Sequence, residues 1–204
     1  MSLSEDPTFS SLKSKFVCGW HDIKDEPWCG VSGRYDPDNG AAWTTNGAGP
    51  HNIQLFMLSA DGTVLHCLPG FWETHDLASE IKLAEDLNKV WLDSSLSRSE
   101  KDKRYRDMHA RHLANHPRET VARSQMQGFD KKFEEKRKDI SDCFMTDGSI
   151  KTTDRILHER MAQRPFVAFE KFDVEKFTDY GRQKYDKKRV LTESAPANQT
   201  GGAK

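Results

Sequence analysis

The chain has 204 residues, 35 % of them hydrophobic and 31 % charged, with a net charge of −1. Eleven Phe and five Trp supply enough apolar mass for one well-packed domain, or for a small domain with a substantial extension. This composition excludes intrinsic disorder as the general state, and no run approaches the roughly 18 apolar residues of a membrane span.

The N-terminal residues 1–8 carry acids where a signal peptide carries bases, and no apolar stretch follows. The expected compartment is therefore open: cytoplasmic by default, extracytoplasmic if the N-terminus was truncated. Charge is divided unevenly. Residues 1–96 hold 6 Lys and Arg against 14 Asp and Glu, a net −8, and residues 97–204 hold 25 against 18, a net +7. Acids interleave the basic half throughout, which argues against nucleic acid and for a basic helical segment packed on an acidic domain.

The predicted elements begin with a short helix ending over residues 9–14 and a strand over 15–23 (KFVCGWHDI). Residues 24–51 form a long Gly-, Asp- and Asn-rich loop. The run Ile53–Leu58 (IQLFML) suits a strand buried on both faces, Asp61-Gly62 a tight hairpin turn, and Thr63–Leu68 the returning strand. Pro69-Gly70 ends it. Leu77, Ile81, Ala84, Leu87 and Trp91 recur at helical spacing over about 74–93, with Glu80, Lys82, Glu85 and Lys89 placed off that face. Ser97 and Glu100 have capping-box spacing for a second helix, which Pro117 stops. A third helix is expected over 118–140, a short one over 154–163 and a strand over 166–169. Phe166, Phe169, Phe172, Phe177, Tyr180 and Tyr185 read as an apolar strap across the N-terminal half. A partner-binding aromatic surface is the alternative.

Four cysteines, Cys18, Cys29, Cys67 and Cys143, are too scattered for a disulfide framework, and the absence of C-x-x-C leaves a structural zinc knuckle unsupported. Cys29 lies in a Gly-flanked loop between Trp28 and Gly30, with His21 and Arg34 as the nearest cations in sequence, so it reads either as a reactive thiol or as an inert loop cysteine. His109, His112 and His116 stand at i, i+3 and i+7 on one helix face. The outer pair is about 10 Å apart along the helix, too far for one ion. Two of them with an outside ligand form the more plausible set, although a partly buried helix face is the default. A Cys18, His21, Cys29, His51 set is conceivable as well. No metal ligand is assigned from sequence, and no cofactor is expected.

The run FMLSADGTVLHCLPGFWETHDLASEIKLA resembles the closing strand–strand–helix unit of thioredoxin-like proteins, and FSSLKSKFVCGWHDI is similar to that family's preceding helix and strand. The resemblance covers roughly 85 residues of the chain. It implies a cis-proline at or near Pro50, with His51 and Trp28 beside it as substrate-binding residues; the residues alone read equally as an ordinary trans turn proline ending the Gly-rich loop. Trp28-Cys29-Gly30-Val31-Ser32 looks like the family's W-C-G-x-C with the second cysteine replaced by Ser32. The resemblance thus implies a thioredoxin-like mixed sheet over 1–95, incomplete at its N-terminus if the first strand is missing; the helical spacing and composition of the rest add a helical extension over 96–192 packed on it and a disordered tail over 193–204, an α/β chain as a whole. The implied function is that of a thiol-disulfide oxidoreductase relative working through Cys29, with Cys18 to resolve, on a protein thiol or disulfide. A non-catalytic binding module and a metal-binding protein using Cys and His near the groove are the alternatives. No nucleic-acid or membrane partner is expected, and the oligomeric state stays open.

Overall fold

The hairpin is the first element the sequence dictates. β1 (Gln54–Leu58) and β2 (Val64–Pro69) pair antiparallel, with Leu55 opposite Leu68 and Phe56 opposite Cys67, in a computed structural model that describes residues 2–26, 28–30, 44–49 and 51–181. Gly62 turns the chain at φ +82, and its N–H donates to the Ser59 carbonyl at 3.0 Å. A bulge between Met57 and Leu58 shifts the register beside the turn. All six residues of β2 are buried, whereas β1 keeps one fully buried position, Met57, and exposes Leu58. The doubly buried strand is therefore β2 and not the more apolar β1. Val64 N–H donates to Val167 O and Phe169 N–H to Gly62 O, so residues 167–169 cover the start of β2. The strand expected over 166–169 is reduced to a single bridge, Thr63 with Ala168, followed by a 3₁₀ turn at Phe169–Lys171.

Among the described residues the chain is a mixed α/β protein with this two-stranded antiparallel sheet and seven α-helices. α1 (Thr8–Lys15) ends as expected, but residues 16–23 form no strand: Val17 and Trp20 stand in solvent. Alternating side chains alone do not make a strand without a neighbour to complete the ladder. α2 (Thr74–Leu92) starts on an N-cap glutamate, Glu73, whose carboxylate accepts from the N–H groups of His75 and Asp76. α3 (Arg98–Ala114) opens on the Ser97–Glu100 capping box. The helix expected over 118–140 is broken into α4 (Arg118–Arg123) and α5 (Gly128–Glu135). The break has a tertiary cause: the Ser124 carbonyl accepts from the N–H and hydroxyl of Thr153, 29 residues on, while the Ser124 hydroxyl turns back to Thr120 O. α6 (Thr153–Ala162) and the short α7 (Val174–Phe177) complete the chain.

One core runs through both halves. Ile81, Ala84 and Leu87 of α2, Leu65 and Cys67 of β2, Tyr105 of α3 and Ile156, Leu157 and Met161 of α6 are all buried in it. The aromatic strap joins this core: Phe166, Phe172, Phe177 and Tyr180 are buried, and Phe56 meets Phe169 and Phe172 edge-on at 5.0 and 5.6 Å. Tyr185 and the expected tail lie outside the described residues. The charge asymmetry is settled mostly within the basic half. Arg98, Lys103, Arg137, Lys151, Arg155 and Arg160 pair with acids of that half, and Arg123 crosses to Asp76. Among the described residues no helix is long and apolar enough to cross a membrane.

Candidate metal centre

The two thiols expected to carry chemistry differ in exposure. Among the described residues no disulfide joins the cysteines: Cys18 is exposed and Cys29 is buried. Cys29 Sγ donates to the neighbouring Gly30 carbonyl at 3.3 Å, and its N–H donates to Glu26 O, so the thiol is packed away rather than presented. Trp28 is half-buried beside it, and Val31, Ser32 and Pro50 lie outside the described residues. His51 is buried at φ +50, its Nε2 against Gly47 O at 3.2 Å and its ring 4.6 Å from that of Tyr180. Burial lowers its pKa to about 4. His21 and His75 are exposed, so the conceived set of Cys18, His21, Cys29 and His51 does not form around a common point. Cys67 and Cys143 fill the core, and burial raises both thiols, Cys143 to about 12.

A different constellation occupies the middle of the molecule. The α2 stripe that buries Leu77, Ile81 and Ala84 also buries Glu80 completely. A carboxylate on that stripe has to be met by donors or cations, because an isolated buried charge is too costly to keep. Histidines meet it from three elements. His66 of β2 donates Nε2–H to Glu80 Oε2 at 2.9 Å. On the other side, Glu80 Oε1 lies 3.2 Å from His112 Nε2, 3.3 Å from His116 Nε2 and 3.4 Å from His158 Nε2. The α3·α6 packing places His158 opposite the end of α3, while His112 and His116, four residues apart, present neighbouring rings.

The contacts at Oε1 are not ordinary hydrogen bonds. Glu80 Oε1, His112 Nε2 and His116 Nε2 are buried and lack an aligned hydrogen-bond partner. These three buried atoms face one another at ion-pair distances. The four donor atoms, one each from Glu80, His112, His116 and His158, all lie within 4.8 Å of one another. Their outer partners are in place too. His116 Nδ1–H donates to Asp154 Oδ2 at 2.8 Å, and His158 Nδ1 lies 2.9 Å from His109 Nδ1. Burial acts to lower the His116 pKa, but Asp154 and Glu80 outweigh it and carry the ring to about 9. For Glu80, burial acts to raise the carboxyl, and the surrounding imidazoles, His158 foremost, hold it well below the usual range.

No protein-family model, curated protein or solved structure matches the chain. The functional reading therefore rests on this geometry alone.

Sequence reasoning reached half of the set. His112 and His116 are two members of the noted histidine face, joined by Glu80 and His158 from other elements, while His109 turns behind them against His158. Glu80 and His158 were missed. The available signal was positional: Glu80 falls between Leu77 and Ile81 on the apolar stripe, and His158 between Leu157 and Met161.

Proposed function

We propose that this protein binds one divalent first-row transition ion through Glu80 Oε1 and the Nε2 atoms of His112, His116 and His158. The observation that carries the reading is metric. Nitrogen and oxygen donors about 2.0–2.1 Å from a tetrahedral zinc ion are separated by edges of roughly 3.3–3.4 Å; the three edges at Glu80 Oε1 are 3.2, 3.3 and 3.4 Å, and the nitrogens lie within 4.8 Å of one another, close enough for small ring rotations to complete the shell. Three imidazoles and one carboxylate are borderline donors suited to Zn²⁺, Fe²⁺, Co²⁺ or Ni²⁺, whereas Ca²⁺ and Mg²⁺ need sites built from oxygen.

The outer groups support the same assignment. With each Nε2 lone pair turned to the ion, His116 carries its proton on Nδ1 and gives it to Asp154, the carboxylate–histidine arrangement that fixes ring orientation. His158 likewise donates from Nδ1 to the His109 Nδ1 lone pair. His66 holds the second oxygen of Glu80, which leaves the first for the metal.

The direct test is metal titration of the full chain with Zn²⁺ and Co²⁺, with the bound ion counted after desalting. One ion per chain and a rise in thermal stability reversed by a chelator are expected, the rise corresponding to about 2.7 kcal/mol at an ion concentration a hundred times Kd. Glu80→Gln and His112→Ala/His158→Ala should lose both. Retention of one ion by either variant would remove this reading.

A second reading keeps the thioredoxin-like kinship and a thiol-disulfide role for Cys29 and Cys18. The β1–Gly62–β2–α2 order favours the kinship. The burial of Cys29 does not favour the chemistry, because the attacking thiol must be reachable as a thiolate.

A further inference from the structure

A purely structural metal site closes its coordination shell and shuts out solvent, whereas a reactive one leaves a position that exogenous ligands can reach. Beside Glu80 and His116 a pocket of about 370 Å³ opens between the N-terminal turns of α2 and α4. Glu80 and His116, two of the four donors, belong to its wall, and both are almost fully buried from bulk solvent. Further out the wall carries Glu73, Asp76, Glu119 and Arg123. Arg123 adds little free positive charge, because both of its bonds run to Asp76: Nε to Oδ2 at 2.8 Å and a terminal guanidinium nitrogen to Oδ1 at 2.7 Å. The remaining carboxylates of Glu73 and Glu119 leave the mouth negative, a field that attracts cations, admits neutral molecules and repels anions.

We infer that the ion held by Glu80, His112, His116 and His158 keeps an exchangeable coordination position on this pocket, taking water or small neutral nitrogen donors in preference to anions. The inference rests on the metal-binding reading above. A fifth ligand is within the reach of the ions this donor set suits, since zinc expands from four to five ligands in catalytic sites. A water so bound would be the acidified, nucleophile-forming kind. The pocket walls supply the hydroxyls of Ser79 and Thr120, and Thr120 already donates to Asp76 Oδ1 at 2.8 Å. Ser79 is exposed on α2, so its side chain stands at the rim rather than in the core.

The experiment uses the cobalt-loaded full chain, whose visible d–d absorption reports coordination number. If no cobalt band forms and no cobalt survives desalting, the metal-binding reading itself fails, which is a separate result. With the band present, imidazole should shift it saturably while cobalt stays bound after desalting, and azide should bind at least about tenfold more weakly. Ser79→Phe, which fills the rim, should weaken imidazole binding by about tenfold or more without loss of cobalt. Glu119→Lys reverses the charge of an exposed rim residue, and it should raise azide affinity with the cobalt stoichiometry unchanged. An imidazole-insensitive band would mean a closed structural site and would overturn the inference. So would full imidazole affinity in Ser79→Phe, or azide binding more tightly than imidazole in the parent protein.

Discussion

His116 donates its Nδ1–H to Asp154 Oδ2 across 2.8 Å, tying the chain just past α3 to the first turn of α6. Asp154 is fully buried, and its other oxygen accepts from the Arg155 N–H at 2.7 Å. The carboxylate is thus fixed from two directions and in turn fixes the ring. Outer partners of this kind commonly contribute a factor of about 10–100 in metal affinity. Asp154→Asn is therefore expected to raise the Kd for Zn²⁺ or Co²⁺ within that range while one ion per chain is still bound. Competition with a chromophoric chelator measures it. An unchanged Kd would show that His116 needs no such partner.

Two glycines of the hairpin unit separate backbone strain from close approach. Gly62 has φ +82 with open space where a Cβ would stand. Gly70 has φ +74, and a Cβ there would sit 2.4 Å from the Ala48 carbonyl oxygen, which itself accepts from the Phe71 N–H. Gly62→Ala should cost only the left-handed backbone penalty, about 1 kcal/mol. Gly70→Ala must also push the 47–48 strand of chain off the turn, so a loss of more than about 2 kcal/mol is expected. Urea unfolding of both variants ranks them, and equal losses would contradict the contact at Ala48.

The same two glycines mark how far the chain could be read without coordinates. Asp61-Gly62, Ser97–Glu100 and the α2 stripe are local signals, and they give the hairpin, the cap and the helix where they are expected. The failures lie where pairing is distant. Residues 16–23 alternate like a strand but stay single, and 118–140 reads as one helix until Thr153 binds the Ser124 carbonyl from 29 residues away. The proposed metal ligands share this property. Helical spacing placed Glu80 beside Lys82 on the solvent side, although it stands one residue before Ile81 on a stripe that buries both. Only the approach of His66, His112, His116 and His158 makes a buried carboxylate there tolerable, and helical spacing brings together only His112 and His116 of those four rings.

Cysteine accessibility offers a check that is independent of metal. Cys18 is exposed, Cys29 is buried with its Sγ on Gly30 O, and burial raises the Cys67 and Cys143 thiols. Brief alkylation of the native protein, read by peptide mass spectrometry, should label Cys18 first and leave Cys67 and Cys143 unmodified until the chain is unfolded. Cys29 should lag well behind Cys18. Faster labelling of Cys29, with turnover in an insulin-reduction assay, would restore the thiol-disulfide reading to first place.

His51 makes the protein sensitive to mild acid at a point away from the metal ligands. Its ring is buried against Tyr180 with Nε2 at Gly47 O, and Arg160 lies on the same side of the molecule, its guanidinium over the Tyr180 ring at 5.6 Å. Burial first, and the Arg160 charge with it, lower the His51 pKa from 6.5 to about 4 in spite of the backbone contacts that favour protonation. The folded state thus holds this ring neutral where the unfolded chain would already take up a proton. Its stabilising contribution is complete above the unfolded pKa and is lost as pH falls from about 6.5 toward 4. By linkage, roughly 2 kcal/mol of stability should disappear between about pH 7.5 and pH 5 on account of His51 alone. The comparison is with His51→Asn, since asparagine tolerates the left-handed backbone at this position. The variant loses ring packing at every pH, so the quantity of interest is the change in stability with pH, measured by urea unfolding of both proteins in the presence of a chelator. The parent should lose about 2 kcal/mol more than the variant over that interval. Parallel pH profiles would show that His51 is protonated without penalty in the folded protein, and that the Tyr180–Gly47 pocket is open to water.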